Sequence, residues 1–272
     1  MLGRMIEVCI AGATGWTGRA LAEAVLEAPD LNLRSAVARS AAGSDLGVAW
    51  GTEAVGVPVF GTVAEALEGV SVLVDFTSHE AVKTNTVTAI ERGVNVVIGS
   101  SGLTADDFAE IADAARSKEV GVVAAGNFSV TAAIAQAAAL LAAHHLPHWE
   151  IIDYASASKP DVPSGTSGEL AERMGEVRRP EIGRALTDIT GPREARGATV
   201  AGTQVHSVRL PSFTVSTEVV FGLPDERLVI RHDAGMSAQP YVAGTLLAVR
   251  GVIGRTGLTR GLDTLLLEDR DD

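Results

Sequence analysis

The feature that most restricts this chain is the alternation, through its first 125 residues, of short uninterrupted apolar runs with amphipathic stretches. Met5–Ala11, Leu33–Val37, Val72–Phe76, Val94–Ile98 and Val120–Ala124 read as strands, and Thr17–Glu27, Glu80–Arg92 and Ala105–Lys118 as helices. A strand with one wet face alternates apolar and polar residues. These runs do not, so both of their faces must be covered. Strand–helix alternation of this kind predicts an α/β fold, a doubly wound parallel sheet of Rossmann type.

After Asn127 the pattern changes. An Ala-rich helix, Val130–His145, leads to a strand at Trp149–Tyr154 and a Ser/Pro/Gly stretch ending at Gly165. Gln204–Leu210, Thr214–Phe221 and Arg227–His232 then read as strands joined by short turns with no helix between them. That spacing predicts a second, mixed α/β region with a largely antiparallel sheet and one open face. Residues 176–201, rich in Arg, Glu, Pro and Gly, read as a surface connection, and about Tyr241–Gly251 as a last helix.

With 272 residues, 46% of them hydrophobic, the chain has enough material for one large domain or two modest ones. Its 22 Lys and Arg face 34 Asp and Glu, a formal charge of -12, and such a surface repels nucleic-acid phosphates and anionic lipid. The stretch Thr131–Leu146 is interrupted by Gln136, His144 and His145 and falls short of a membrane span. The opening MLGRMIEVCIAG does not read as a signal peptide, and Cys9, the single cysteine, has no partner for a disulfide. The expectation is a cytoplasmic protein.

Gly12, Ala13, Thr14, Gly15, Trp16, Thr17 and Gly18 follow the first strand directly and open the first helix. Glycine suits a tight turn, a backbone that approaches a pyrophosphate, and close helix–strand contact. The helix N-terminus adds free N–H groups and partial positive charge. The spacing is GxxGxxG rather than GxGxxG; its place between strand and helix favours dinucleotide binding over a plain turn. An NAD site usually ends its second strand in an acidic residue that holds the ribose. Here the strand ends Val37-Ala38-Arg39-Ser40, and Arg39 and Ser40 suit a 2′-phosphate. NADPH is therefore the expected cofactor, with NADH the alternative if Asp45 serves the ribose or Arg39 is merely solvated. Loops at the carboxyl ends of the later strands, where such sheets bind ligands, offer Phe76 and Thr77, Gly99, Ser101 and Gly102, and Gly126, Asn127 and Phe128 to the nicotinamide.

The most specific segment is Lys159-Pro160-Asp161-Val162-Pro163-Ser164-Gly165-Thr166. Thr166-Ser167-Gly168-Glu169 reads as a capping box for a helix to about Met174. Ser164, Gly165 and Thr166 are expected to hold a substrate carboxylate at that helix start, and Lys159 to add a positive charge or a proton. Together with the glycine loop, this segment resembles the dihydrodipicolinate reductase family. The likeness continues through Val74-Asp75-Phe76-Thr77, Val97–Gly102, Ala125–Ser129, Val205–Leu210, Glu218–Gly222 and Ile230–Asp233. It implies an NAD(P)H-dependent reductase that delivers hydride to a C=N or conjugated C=C of a cyclic imino acid, and a homotetramer. It also implies a dinucleotide-binding domain at 1–128 and 238–272, with a substrate-binding and oligomerisation domain at 129–237.

The chain departs from the family where the family carries charge. The family loop reads approximately E-x-H-H-R-x-K-x-D-A-P-S-G-T. Here Ala155 stands at the proton-donating histidine, Ser156 at a substrate-binding one and Ala157 at the arginine, while Ser216 and Ser237 replace a further histidine and arginine. Lys159 and the Ser164-Gly165-Thr166 cradle are kept, and Ser156 is carried as a substrate contact. Two alternatives stay open: a less anionic substrate, or a nucleotide-binding sensor without catalysis. A short-chain dehydrogenase pair is set aside because Tyr154 and Lys159 have the wrong spacing, and a zinc site at His144, His145 and His148 because adjacent histidines diverge on a helix. No metal is expected.

Overall fold

The computed structural model describes residues 5–213 and 215–268. Residues 1–4, Thr214 (the expected first residue of a strand) and the tail from 269 assigned to the first domain lie outside the described residues. The chain divides into two compact units, one holding the chain through Ser129 and again from Ala238, the other spanning Val130–Ser237.

The first unit opens with β1 (Ile6–Ala11), α1 (Trp16–Glu27) and β2 (Leu31–Val37). Then come α2 (Leu46–Ala49), β3 (Val59–Phe60), α3 (Val63–Ala66) and β4 (Val72–Asp75). It continues through α4 (Val82–Glu91), β5 (Asn95–Ile98), α5 (Ala105–Ser117) and β6 (Gly121–Ala124). The second unit holds α6 (Val130–His145), β7 (Trp149–Ala155), α7 (Gly165–Val177), β8 (Ala198–Val200), β9 (Thr203–Arg209), β10 (Val215–Leu223) and β11 (Glu226–Asp233). The chain then returns to the first unit with α8 (Gln239–Gly251), β12 (Gly257–Arg260) and α9 (Leu262–Glu268).

The first unit's sheet has seven strands in the order β12-β6-β5-β4-β1-β2-β3, and every pairing in it is parallel. The apolar runs are continuous because these strands are enclosed on both faces. Val8, Cys9, Ile10 and Ala11 of β1 and Val72 and Leu73 of β4 are all sealed from solvent. On one face Ala89 and Ile90 of α4 and Ile111 and Ala115 of α5 pack with Cys9, Leu73 and Val96. From β1 the sheet grows one way through β2 and the other way through β4. The β1/β4 boundary is thus the switch point beyond whose carboxyl ends such sheets bind ligands. β12, absent from the sequence reading, pairs with β6 and completes that edge.

The second sheet has the order β11-β10-β7-β9-β8. It corrects the sequence reading in one respect. β9 and β10 are consecutive in the chain but not paired: β7 lies between them and runs parallel to β9. The reason is α7, which makes the link from β7 to β9 a crossover of the kind parallel strands require. The remaining pairs are antiparallel. Leu170, Ala171 and Met174 of α7 and Ala139 and Ala143 of α6 cover one face of the sheet, packing on Trp149, Ile151, Val205, Val219 and Phe221. The other face carries half-buried Glu150, Ile152 and Tyr154 of β7, and exposed Leu228 and Val229 lie in β11. Edge strand β8 forms inside the segment read as a surface connection, antiparallel to β9. Among the described residues no helix is long and apolar enough to cross a membrane.

Because β12 is the hydrogen-bonded neighbour of β6, a chain ending at Ser237 is expected to leave an unpaired edge and an uncovered apolar face. Soluble yield and the cooperativity of thermal unfolding should both fall sharply relative to the full chain.

Candidate active site

The turn after β1 is shaped by backbone crowding. Gly12 sits at φ +85°, and a Cβ there would lie 2.3 Å from the Phe76 carbonyl oxygen. A Cβ on Gly18 would lie 2.1 Å from the Gly12 carbonyl oxygen, so α1 packs against the strand at a distance only glycine permits. Gly15 has a different part. It is the N-cap of α1, it supplies no side-chain cap, and the first turn contains no acidic residue. The N–H groups at this end are thus left for an anion. Ala13 is buried, and its carbonyl accepts from Trp50 Nε1 at 3.1 Å, while Thr14, Gly15 and Trp16 are exposed, and Thr17 is half-buried.

Past β2, Arg39 and Ser40 lie exposed on a single 3₁₀ turn, Arg39–Ala41. The Arg39 side chain makes no ion pair or hydrogen bond with the described residues. Asp45, the acid considered for a ribose, is fully occupied. Its carboxylate accepts from the N–H groups of Gly47, Val55, Gly56 and Val57 at 2.8–3.0 Å. The bonds from backbone N–H groups, that of Val55 foremost, hold its carboxyl below the ordinary range.

Asp75, sealed at the end of β4, organises the next loops. Its Oδ1 accepts from Thr77 N–H and Oγ1 and from Ser100 Oγ, and its Oδ2 from Asn85 Nδ2, at 2.7–3.0 Å. The Phe76–Thr77 and Gly99–Gly102 turns are therefore pulled to one point. A Cβ on Gly99 would enter the Phe76 ring, and one on Gly102 would meet His79 Cβ at 2.2 Å, while Ser101 is exposed. The third loop joins through Phe128, whose ring lies 5.8 Å from that of Phe76. Asn127 is buried and its Oδ1 accepts from Ser129 N–H, and Gly126 is exposed. Every cofactor-contact residue read from the sequence thus belongs to the first unit, past the carboxyl ends of β1, β2, β4, β5 and β6: Trp16, Thr17 and Gly18 in the first turn of α1, Arg39 and Ser40 on the 3₁₀ turn, and the others on the connecting loops.

In the second unit the organiser is Asp153, fully buried in β7. It accepts from Ser164 N–H at 2.9 Å, Ser164 Oγ at 2.5 Å, Ser167 Oγ at 3.0 Å, Ser207 Oγ at 3.0 Å and Arg209 Nη2 at 2.8 Å. Burial pushes this carboxyl up, and the bonds from Ser164 and Arg209 outweigh that effect and hold it below the ordinary range. The capping box read at Thr166 and Glu169 is not the one that forms. Ser164 is the N-cap of α7 and accepts from Ser167 N–H. Asp153 draws Ser164 inward, so the N-cap lies two residues before Thr166 and the helix starts at Gly165. Ser164 is buried and both its donors go to Asp153; the first-turn N–H groups that follow are those of Gly165 and Thr166.

Lys159 lies on the loop between β7 and α7, with Nζ 3.0 Å from Asp161 Oδ1 and its own N–H bonded to Ser156 O. Ser156 Oγ lies 3.0 Å from Ser158 Oγ. Ala155 is sealed at the end of β7, on the same face as Asp153, and Ser216 is buried opposite Tyr154. Asp153, Arg209 and Asp75 escaped the sequence reading as organisers. A charged residue in an apolar strand was the signal present at positions 75 and 153. Among the described residues no group of three or more His, Cys, Asp or Glu side chains could hold a metal ion.

The chain is similar to known proteins along nearly its whole length. Residues 6–128 match the family described as dihydrodipicolinate reductase, N-terminus, and residues 126–266 its C-terminus. A 4-hydroxy-tetrahydrodipicolinate reductase of Thermosynechococcus vestitus is 37% identical over 268 residues, covering 96% of this chain and 97% of its own. One of Listeria monocytogenes is 34% identical over 263 residues, covering 96% and 100%. The dipicolinate-bound dihydrodipicolinate reductase of Paenisporosarcina sp. TG-14 superposes with a TM-score of 0.75 at 28% identity, covering 96% of this chain and 99% of its own. GenD2 from gentamicin A biosynthesis, solved with NAD, shares the fold at 17% identity and a TM-score of 0.65.

Asp153→Asn should cost about 3 kcal/mol in urea unfolding at pH 7, because it removes the negative partner of a buried guanidinium. The folded-state carboxyl titrates below its unfolded value, so its contribution is complete above the unfolded pKa and disappears as pH falls through the folded one. The gap between wild type and variant should therefore narrow from about pH 4 downward.

Proposed function

The chain belongs to the dihydrodipicolinate reductase family, and from that premise we propose that it reduces 4-hydroxy-tetrahydrodipicolinate in lysine and diaminopimelate biosynthesis. It is an NAD(P)H-dependent reductase; the bound dinucleotide supplies hydride to a C=N or conjugated C=C of the substrate. The observation that carries the substrate reading is the retained segment from Lys159 to Thr166, built on Asp153. Gly165 and Thr166 turn first-turn N–H groups toward a carboxylate, Ser164 fixes that turn from behind, and Lys159 adds the positive charge and the proton.

The residues of the first unit fit a dinucleotide. A Cβ would fill the space at Gly12 and Gly18, the α1 N-terminus is uncapped, and Arg39 is exposed without a partner among the described residues. NADPH is the preferred form. Arg39 and Ser40 receive the 2′-phosphate, and Asp45, committed to four backbone N–H groups, is not free to hold a ribose. The open face of the second unit's sheet supports the homotetramer of the family, and a lone buried Cys9 fits a cytoplasmic setting.

A second reading, a less anionic ring substrate, is favoured by one set of observations. Ala155, Ser156 and Ala157 carry no charge where the family has two histidines and an arginine. Each lost charge-assisted bond weakens the grip on a dicarboxylate by about 1.5–3 kcal/mol.

Steady-state assay with 4-hydroxy-tetrahydrodipicolinate is expected to give a turnover of about 1–10³ s⁻¹. Turnover far below that with firm NADPH binding transfers support to the second reading; tight NADPH binding with no reduction of any cyclic imine leaves a sensor. Lys159→Ala should lower kcat by about 10²–10⁴-fold. Arg39→Ala should raise the KM for NADPH by about 10-fold or more and leave that for NADH nearly unchanged, which would rank the two cofactors directly.

A further inference from the structure

We propose that Arg209 is the positioning residue of the Lys159 loop, acting on the lysine through Asp161; this rests on the reading of Lys159 as the site's acid. The side chain of Arg209 is mostly buried at the end of β9. Its Nη2 donates at once to Asp153 Oδ2 at 2.8 Å and to the backbone carbonyl of Asp161 at 2.7 Å, and its Nη1 donates to Val208 O at 3.0 Å. One planar guanidinium therefore joins Asp153 of β7 to a point two residues beyond Lys159. Asp161, held by its carbonyl, uses Oδ1 to hold Lys159 Nζ at 3.0 Å.

The loop is also held near its ends, where Ala157 N–H bonds to Leu210 O at 3.2 Å and Ser164 bonds to Asp153, and within itself, where Lys159 N–H bonds back to Ser156 O at 3.0 Å. Between these anchors the Arg209–Asp161 bond is the link from the loop's middle to the sheet. The chain of contacts runs Asp153, Arg209, Asp161, Lys159, and each member fixes the next by a hydrogen bond or ion pair of 2.7–3.0 Å. A lysine at 209 would keep a charge beside Asp153 but not the planar group in which Nη1, bonded to Val208 O, fixes the Nη2 that serves both acceptors. Displacing a reacting group by about 1 Å costs on the order of 10²-fold in rate.

The test is a double-mutant cycle on the full chain, with NADPH and 4-hydroxy-tetrahydrodipicolinate. Arg209→Lys is expected to lower kcat about 10- to 100-fold with the KM for NADPH unchanged. In the Lys159→Ala background it should cost less than about 2-fold more, because the group it positions is gone. Losses that multiply, or an Arg209→Lys enzyme with the parental kcat, would overturn the proposal. Should Arg209→Lys fail to fold, Asp161→Ala serves instead, since it keeps the backbone carbonyl bonded to Arg209 and removes the carboxylate that holds Lys159. Its kcat loss must likewise vanish in the Lys159→Ala background, and a multiplying loss counts against the chain of contacts. An unchanged kcat in Lys159→Ala alone defeats the reading of Lys159 and the brace together, whereas a large Lys159 effect with multiplying losses defeats the brace only.

Discussion

A carboxylate sealed from water must be met by donors on nearly all sides, or it costs several kcal/mol. The second unit is organised around that demand. Asp153 gathers Ser164, Ser167, Ser207 and Arg209, and in doing so sets where α7 begins and how the preceding loop closes. The first unit uses the same device once more: Asp75, sealed at the end of β4, draws in Thr77, Asn85 and Ser100 and so aligns two of the loops at the carboxyl edge of its sheet. In both places a buried acid at a strand end converts flexible connections into fixed ones. Neither acid is itself exposed to solvent, and each acts by placing the groups around it.

The dinucleotide side of the chemistry depends on a different economy, that of space. Gly12 and Gly18 allow backbone to touch backbone, and Gly15 leaves the N-terminus of α1 without a cap. Under the proposed preference for NADPH, discrimination between the two cofactors turns on electrostatics at the end of β2. Asp45 stands near enough in sequence to suggest a ribose partner, yet its oxygens are consumed by the backbone of residues 47–57. Arg39 is left as the charged group without a partner there among the described residues.

The loop that follows β7 has no titratable side chain at Ala155, Ser156 or Ala157, and Ala155 is sealed at the end of that strand. Lys159, paired with Asp161, is the cation of this loop. On the proposed reading of this loop, a substrate is met chiefly by backbone dipoles and one ammonium group, which favours orientation over sheer charge attraction.

What could be read directly from the residues was whatever depends on neighbours along the chain. Continuous apolar runs required strands covered on both faces, and the parallel sheet follows. Glycine at 12 and 18 answered to a turn and a close approach that no side chain permits. The strand runs at Gln204–Leu210, Thr214–Phe221 and Arg227–His232, joined by short turns with no helix between them, already implied a sheet with one open face. The order of the second sheet was not legible, because β9 and β10 are adjacent in sequence while β7 separates them in space. Nor was the helix start: Thr166 and Glu169 satisfy the local rule for a cap, and Ser164 takes the part because Asp153 lies beneath it. Local periodicity and steric exclusion act over a few residues and so are written into the sequence itself. The partners of a buried polar group are chosen among atoms that only the fold brings together, as with Asp153 and Arg209, 56 residues apart and 2.8 Å from one another.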